Sequence, residues 1–208
     1  MDELYTTTKG NITKITYEDT TDDTNDTHRK YYREFDYGID TTDNIIFIQD
    51  EIQNGLTFDI ISKVRLMKKI NGKIDTINIL LNSGGGDVIE TLALIDYMKS
   101  QKDEIKFNII VRGMAMSAAA LLLSNGTGIR AASKHSKIMV HQLSTIVVGK
   151  LSDVKSNAKF SEELELECNE LMAKSTKMDK EYWQNIQSSD YFMNAEKALE
   201  LGIIDQII

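Results

Sequence analysis

Not one proline occurs in this chain of 208 residues, although an average usage of about 5% would supply roughly ten. That absence excludes collagen-like, polyproline and proline-rich linker architectures. A single cysteine can form neither an intramolecular disulfide nor a cysteine zinc site. No apolar run approaches the ~18 residues that a membrane span needs. The opening Met1-Asp2-Glu3-Leu4 has no basic stretch leading into a hydrophobic one, so no signal peptide is expected and a cytoplasmic location is the default. What the chain does have is 41% hydrophobic and 27% charged residues, the balance of a globular protein that buries a core. Its length suits one ordinary domain or two very small ones.

The formal charge of −8 is unevenly spread, because residues 1–43 hold eleven acids against five bases. Within them, Tyr17 to Thr27 is a Thr/Asp run with almost nothing to bury, which predicts a mobile stretch. Residues 1–42 are accordingly expected to form an acidic segment outside the catalytic core, and 43–208 the functional domain. The rest of the chain carries only about −2, too little basic charge for a nucleic-acid footprint. No internal period points to a solenoid.

Past the acidic segment, apolar patterning alternates between strand and helix. Ile45 to Ile48 reads as a buried strand, and Leu56, Ile60, Val64 and Met67 follow at helical spacing. Ile74 to Leu81 is a second strand, broken by Asn82-Ser83-Gly84-Gly85-Gly86. Asp87 then opens a helix to Ser100 carrying Val88, Leu92, Ile95 and Met98 on one face. Phe107 to Val111 is a third strand, followed by a glycine turn and an Ala/Leu-rich helix that stops at Asn125-Gly126. Short strands are expected at Ile129 to Ala132 and Lys137 to Val140, and helices over Lys150 to Lys174 and Asp179 to Gln187. A last helix runs from the cap Asn194 to Gly202, before a strand from Ile203 to Ile208. This order predicts an α/β fold of parallel βαβ units, with function at the carboxyl ends of the strands. Both unusual turns, Asn82 to Gly86 and Arg112 to Met116, fall at such ends.

The glycine triplet fits neither Gly-x-x-x-x-Gly-Lys-Ser/Thr nor Gly-x-Gly-x-x-Gly, so nucleotide binding is not its reading. Consecutive glycines also let backbone N–H groups approach a ligand closely, as an oxyanion hole requires. Ser117, at the head of a helix after a strand, is placed either as a cap or small packing residue, or as a nucleophile. Of three histidines, His28 lies in the acidic run and His135 in a polar turn. His141 follows the apolar strand directly, where it is either a structural histidine or a base for Ser117. Asp153, Asp179, Asp190 and Asp205 are all open as its orienting acid. Cys168 sits near the apolar stripe of its helix and reads as a packing residue. Tyr182 and Trp183 read as core or interface anchors.

Taken together, Ile79-Leu-Leu-Asn-Ser-Gly-Gly-Gly-Asp-Val88, Gly113-Met-Ala-Met-Ser-Ala-Ala-Ala-Leu-Leu-Leu123, Ile138-Met-Val-His-Gln142, and Ser189-Asp-Tyr-Phe192 with Ala195 to Asp205 resemble, in order, the proteolytic subunit of the Clp proteases, the ClpP family. The resemblance implies a ClpP/crotonase-like spiral of βαβ units with a protruding handle helix at about 150–176. It implies a serine endopeptidase with Ser117 as nucleophile, His141 as general base and Asp190 as orienting acid. The N–H groups of Gly86 and Ala118 fall on the oxyanion hole. No cofactor is implied. The implied partners are unfolded polypeptide substrates, an AAA+ ATPase that unfolds them, and further copies of the chain in two stacked heptameric rings; neither nucleic acid nor membrane is among them. Glu162, Glu163, Glu165 and Glu167 on the handle are expected to be solvated or to face a neighbouring subunit.

The family commonly has proline where this chain has Gly84 and Leu143, and often glycine where it has Ala119. Gly84 is expected to loosen its turn, because glycine gives the unfolded chain more freedom, and Leu143 to alter the approach to the handle; both bear on how well the oxyanion hole and the active ring arrangement are pre-set. These changes keep open a rival reading as a catalytically silent ring subunit or assembly scaffold. A hydratase of the crotonase type, which shares the spiral and an oxyanion hole, is opposed by the Ser/His/Asp positions.

Overall fold

A computed structural model describes residues 4–8, 11–15, 34–186 and 189–208. The expected mobile run from Tyr17 to Thr27 and His28 lie outside the described residues. The chain divides into two compact units, Met1–Tyr37 and Gly38–Ile208. In the first, β1 (Leu4–Thr8) pairs antiparallel with β2 (Asn11–Ile15), with Leu4 opposite Ile15 and Thr8 opposite Asn11. Alternation in these short, threonine-rich strands was too weak to announce the pair.

The second unit is built on a mixed, mostly parallel sheet. Its strands are β3 (Ile39–Asp40), β4 (Ile45–Gln49), β5 (Thr76–Ser83), β6 (Lys106–Met116), β7 (Arg130–Ala132), β8 (Lys137–Val140), β9 (Tyr191–Asn194) and β10 (Gln206–Ile207). The main order is β10-β7-β6-β5-β4-β3, with β8 pairing β6 and β9. Only β3 with β4 and β8 with β9 run antiparallel. The helices are α1 (Leu56–Asn71), α2 (Val88–Ser100), α3 (Ala118–Ser124), α4 (Leu151–Ser175), α5 (Lys180–Ile186) and α6 (Ala195–Leu201). Among the described residues, no helix is long and apolar enough to cross a membrane.

Helix formation follows the periodicity. α1 buries Ile60, Val64 and Met67, at steps of four and three, and α2 buries Leu94, Ile95 and Met98. The Asp87 side chain caps α2 by accepting from the Glu90 N–H at 3.0 Å. Glu90 in turn accepts from the Thr57 N–H at 3.0 Å, which locks the starts of α1 and α2 together. All seven residues of α3 are buried, so the Ala/Leu run forms the centre of the core directly behind the glycine turns.

The long strand β6 departs from expectation. Arg112 to Met116 is not a turn, because the strand continues through Gly113 to Met116. Its first part pairs with β5 and β7. Met114–Met116 then pairs with Lys137–Met139 of β8, so one strand serves two successive partners. Gly113 makes this possible. It sits at φ 111° where any Cβ would collide with Asn82 Oδ1, and that oxygen instead accepts from the Met114 N–H at 3.1 Å. The strand expected over Ile203 to Ile208 shrinks to Gln206–Ile207, because Gly202 in the left-handed region turns the chain and Ile203 and Ile204 bond back to Ala198 at the end of α6.

Candidate active site

Ser117 follows the last residue of β6 and precedes α3, and its backbone holds φ 55° and ψ −126°. This is the left-handed side for a residue with a Cβ, a conformation that costs on the order of 1–3 kcal/mol and persists only where surrounding bonds enforce it. Those bonds are present: the Ser117 N–H donates to Met139 O at 2.8 Å, and Ser117 O accepts from Ala120 N–H at 2.9 Å. Gly85 is packed against the same elbow, since a Cβ there would lie 2.6 Å from Met116 O and 2.7 Å from Ser117 Cβ. Glycine at 85 is therefore a requirement of close approach, which turns the glycine run into part of the site.

His141 arrives by strand register. β8 pairs parallel with the end of β6, Met139 beside Met116, so the residues that follow each strand emerge side by side. Ser117 Oγ and His141 Nε2 are 2.8 Å apart. With the imidazole proton on Nδ1, the serine hydroxyl donates to Nε2, the arrangement needed to make the oxygen a nucleophile. β9 runs antiparallel to β8 with Tyr191 opposite Val140, and the next rung sets Asp190 opposite His141. Asp190 Oδ1 lies 3.4 Å from His141 Nδ1, with the aspartate side chain 59% exposed. That distance is an ion-pair contact, longer than a well-formed hydrogen bond. Such arms are often long before substrate binds.

The other three acids are engaged elsewhere. Asp153 sits in the first turn of α4, Asp179 accepts from the Tyr182 N–H ahead of α5, and Asp205 holds Arg130. His135 is exposed. Of the four acids left open by spacing, Asp190 is the one paired with His141.

The two residues expected to supply oxyanion donors line the same cavity as Ser117. Ile52 bridges to the glycine run through Ile52 N–H to Gly85 O at 2.7 Å and Asp87 N–H to Ile52 O at 2.8 Å. These bonds use the groups on either side of Gly86 and leave its own N–H out of the bridge. Ala118 is the first residue of α3, and the first N–H groups of a helix have no intrahelical acceptor. Gly86, Ser117, Ala118 and His141 line one cavity of about 220 Å³, whose remaining wall includes Val88, Leu121, Val140, Cys168 and Met172.

Three residues of this cavity were not assigned to the site from the sequence. Leu143, expected to alter the approach to the handle and to bear on how the site is pre-set, itself lines the cavity. Cys168 does pack, and burial, followed by the charges of Glu167 and Glu165, pushes its thiol up to about 11, so it lines the cavity as a protonated, apolar group. Glu165, one of the handle acids expected to be solvated or to face a neighbouring subunit, also lines it and accepts from Gln142 Nε2 at 3.2 Å. The available signal was the step of three and four along α4 from Glu165 to Cys168 to Met172. Trp183 is fully buried, stacks edge-on against Tyr182 with centroids 5.4 Å apart, and donates from Nε1 to Thr176 Oγ1, as an anchor does.

A protein-family model described as Clp protease matches residues 8–208, a span that contains every residue of this site.

Proposed function

The chain belongs to the Clp protease family, and from that premise and the site's geometry we propose that it is a serine endopeptidase with Ser117, His141 and Asp190 as its triad. The observation that carries the proposal is the 2.8 Å contact between Ser117 Oγ and His141 Nε2, made across a separation of 24 residues. His141 Nε2 takes the hydroxyl proton as Ser117 Oγ attacks a peptide carbonyl, and Asp190 faces the positive Nδ1 side of the imidazolium. The tetrahedral oxyanion receives the N–H groups of Gly86 and Ala118, each such donor being worth about 3 kcal/mol in the transition state. His141 then protonates the departing amine. Water, deprotonated by the same nitrogen, hydrolyses the acyl-serine and returns the proton to Ser117.

Substrates on this reading are unfolded polypeptides fed by a separate ATP-driven unfoldase into a barrel of two heptameric rings. Family membership supports this assembly, as do apolar side chains on the stretch leading into and along α4: Ile146 and Val148 are each 92% exposed, and Leu151 and Phe160 are exposed too. Such side chains on a single chain call for a covering surface.

Incubation with a fluorophosphonate and a short fluorogenic peptide, with Ser117→Ala in parallel, tests the assignment. Labelling at Ser117 and peptide cleavage are expected in the native protein, with the variant losing at least about 1,000-fold in rate. Cleavage that persists in Ser117→Ala would sink the proposal. The 3.4 Å acid arm, with its exposed Asp190, favours a second reading, a silent ring subunit. A stable ring that takes no label would establish that reading instead.

A further inference from the structure

α4 carries its acids in two different ways. Glu163 and Glu170 sit on the outer surface and pair with Lys159 and Lys174, each four residues away along the helix. Glu165 is half-buried and turns to the cavity beside Ser117 and His141. Its neighbours four residues away are Ser161 and Asn169, so its own helix offers it no cation. Among the described residues its hydrogen-bond partner is the neutral amide of Gln142, the residue after the catalytic histidine, which donates to Oε2. An ionised carboxylate has about four acceptor positions, and one amide N–H leaves the charge uncompensated. Away from Ser117 and His141 the cavity is walled mainly by the apolar side chains of Leu121, Val140, Leu143, Cys168 and Met172, with one further hydroxyl from Ser144, and it has about 220 Å³ of room.

A pocket with apolar walls and a single anchored carboxylate matches a particular shape of guest: an aliphatic stem ending in a cation. The stem packs on the walls while the ammonium or guanidinium reaches the acid. We infer that Glu165 is a specificity-determining residue that makes this cavity select lysine or arginine at the position just before the scissile bond. The inference rests on the peptidase reading, since a side chain can be delivered to this cavity only if its carbonyl is presented to Ser117. Gln142 is the positioning partner that keeps the Glu165 carboxylate turned inward, and Cys168 contributes as an apolar wall.

The test uses two fluorogenic peptides of identical sequence except at that position, one with lysine and one with norleucine, which shares the carbon stem and lacks the charge. The full-length protein and Glu165→Gln are assayed on both, and the ratio of the two kcat/KM values is read, so that any inactive fraction in a preparation cancels. The native protein is expected to favour the lysine peptide, and Glu165→Gln to lower that ratio about tenfold, a change of about 1.4 kcal/mol, through the lysine peptide and chiefly through KM. Glu165→Asp, with a carboxylate set back by one methylene, gives an intermediate ratio. A ratio that favours norleucine in the native protein, or that stays within about twofold in Glu165→Gln, overturns the role of Glu165 while leaving the peptidase intact. Absence of cleavage of both peptides together with no fluorophosphonate labelling of Ser117 overturns the peptidase reading and this inference with it.

Discussion

Three consecutive glycines at the end of β5 are not equivalent. Gly86 adopts φ 138°, and the space a side chain would need is filled by the backbone oxygen of Ile52. Gly84 is different: its φ lies outside the left-handed region and nothing stands within 4 Å of where its Cβ would be. The turn around it is held by other means, since Gly85 N–H donates to Ser83 Oγ at 3.1 Å and Ile52 stitches both sides of Gly86. The looseness expected of Gly84 therefore belongs to the unfolded chain more than to the folded turn. Gly84→Ala is expected to raise stability by about 0.4–1 kcal/mol in urea unfolding and to keep peptide cleavage. Gly86→Ala must displace backbone, and is expected to lose at least about 2 kcal/mol together with most activity. Equal effects of the two substitutions would show that the turn does not discriminate between them. The distinction was invisible in the sequence because the three residues are chemically identical, and only the approach of Ile52 and Ser117 separates them.

Between elements, one arginine does the work of several contacts. Arg130, at the start of β7, bonds to the Asp205 carboxylate, to Ser124 O at the end of α3 and to Ser175 O at the end of α4. Burial alone would raise the Asp205 carboxyl, but the hydrogen bonds and charge of Arg130 outweigh it and hold it below its ordinary value. A carboxyl depressed in the folded state contributes stability that is complete above its unfolded value, near 3.8, and is lost as the pH falls through the lower folded value. Asp205→Asn is therefore expected to destabilise by about 1 kcal/mol at pH 7, a figure kept small because the aspartate is partly exposed to solvent. The gap should narrow below about pH 4, where the unfolded Asp205 carboxyl takes up its proton before the folded one does. A gap of equal width in urea titrations at about pH 7 and pH 3 would remove Asp205 from this role. Elements with several turns of pattern, such as α1, α2 and α4, were legible because Ile60, Val64 and Met67 or their equivalents repeat at helical spacing. β9 was not, because Tyr191–Asn194 is four residues long with one buried side chain, Met193. Its pairing with β8 is what carries Asp190 to His141, so the acid could be chosen from a family resemblance but not from spacing. The split partnership of β6 was hidden for a related reason: Gly113 reads as a breaker unless the second partner strand is known.

At the scale of the whole chain, charge and core are segregated. The unit Gly38–Ile208 contains every element of the main sheet, the central buried helix α3, Ser117, His141 and Asp190, and the cavity that Ser117 and His141 line. Its first strand already belongs to the core, with Ile39 buried and paired to Ile46, so any truncation has to stop before Gly38. Residues 1–37 hold nine acids against five bases, and among their described residues β1 and β2 pair with each other. A chain that begins at Gly38 keeps the whole of this buried core, and with it the interactions that set Ser117 against His141. Such a truncated protein is expected to unfold cooperatively with a midpoint within about 4 °C of the full chain, a margin equivalent to less than about 1–2 kcal/mol at this size. It is also expected to cleave a short fluorogenic peptide at a rate within about twofold, because a difference that small corresponds to less than 0.5 kcal/mol at the site. Calorimetry and the peptide assay on the same preparation read both. A non-cooperative transition, or cleavage that falls more than about tenfold while the midpoint holds, would place the acidic N-terminal residues in the structure or the chemistry of the Gly38–Ile208 unit.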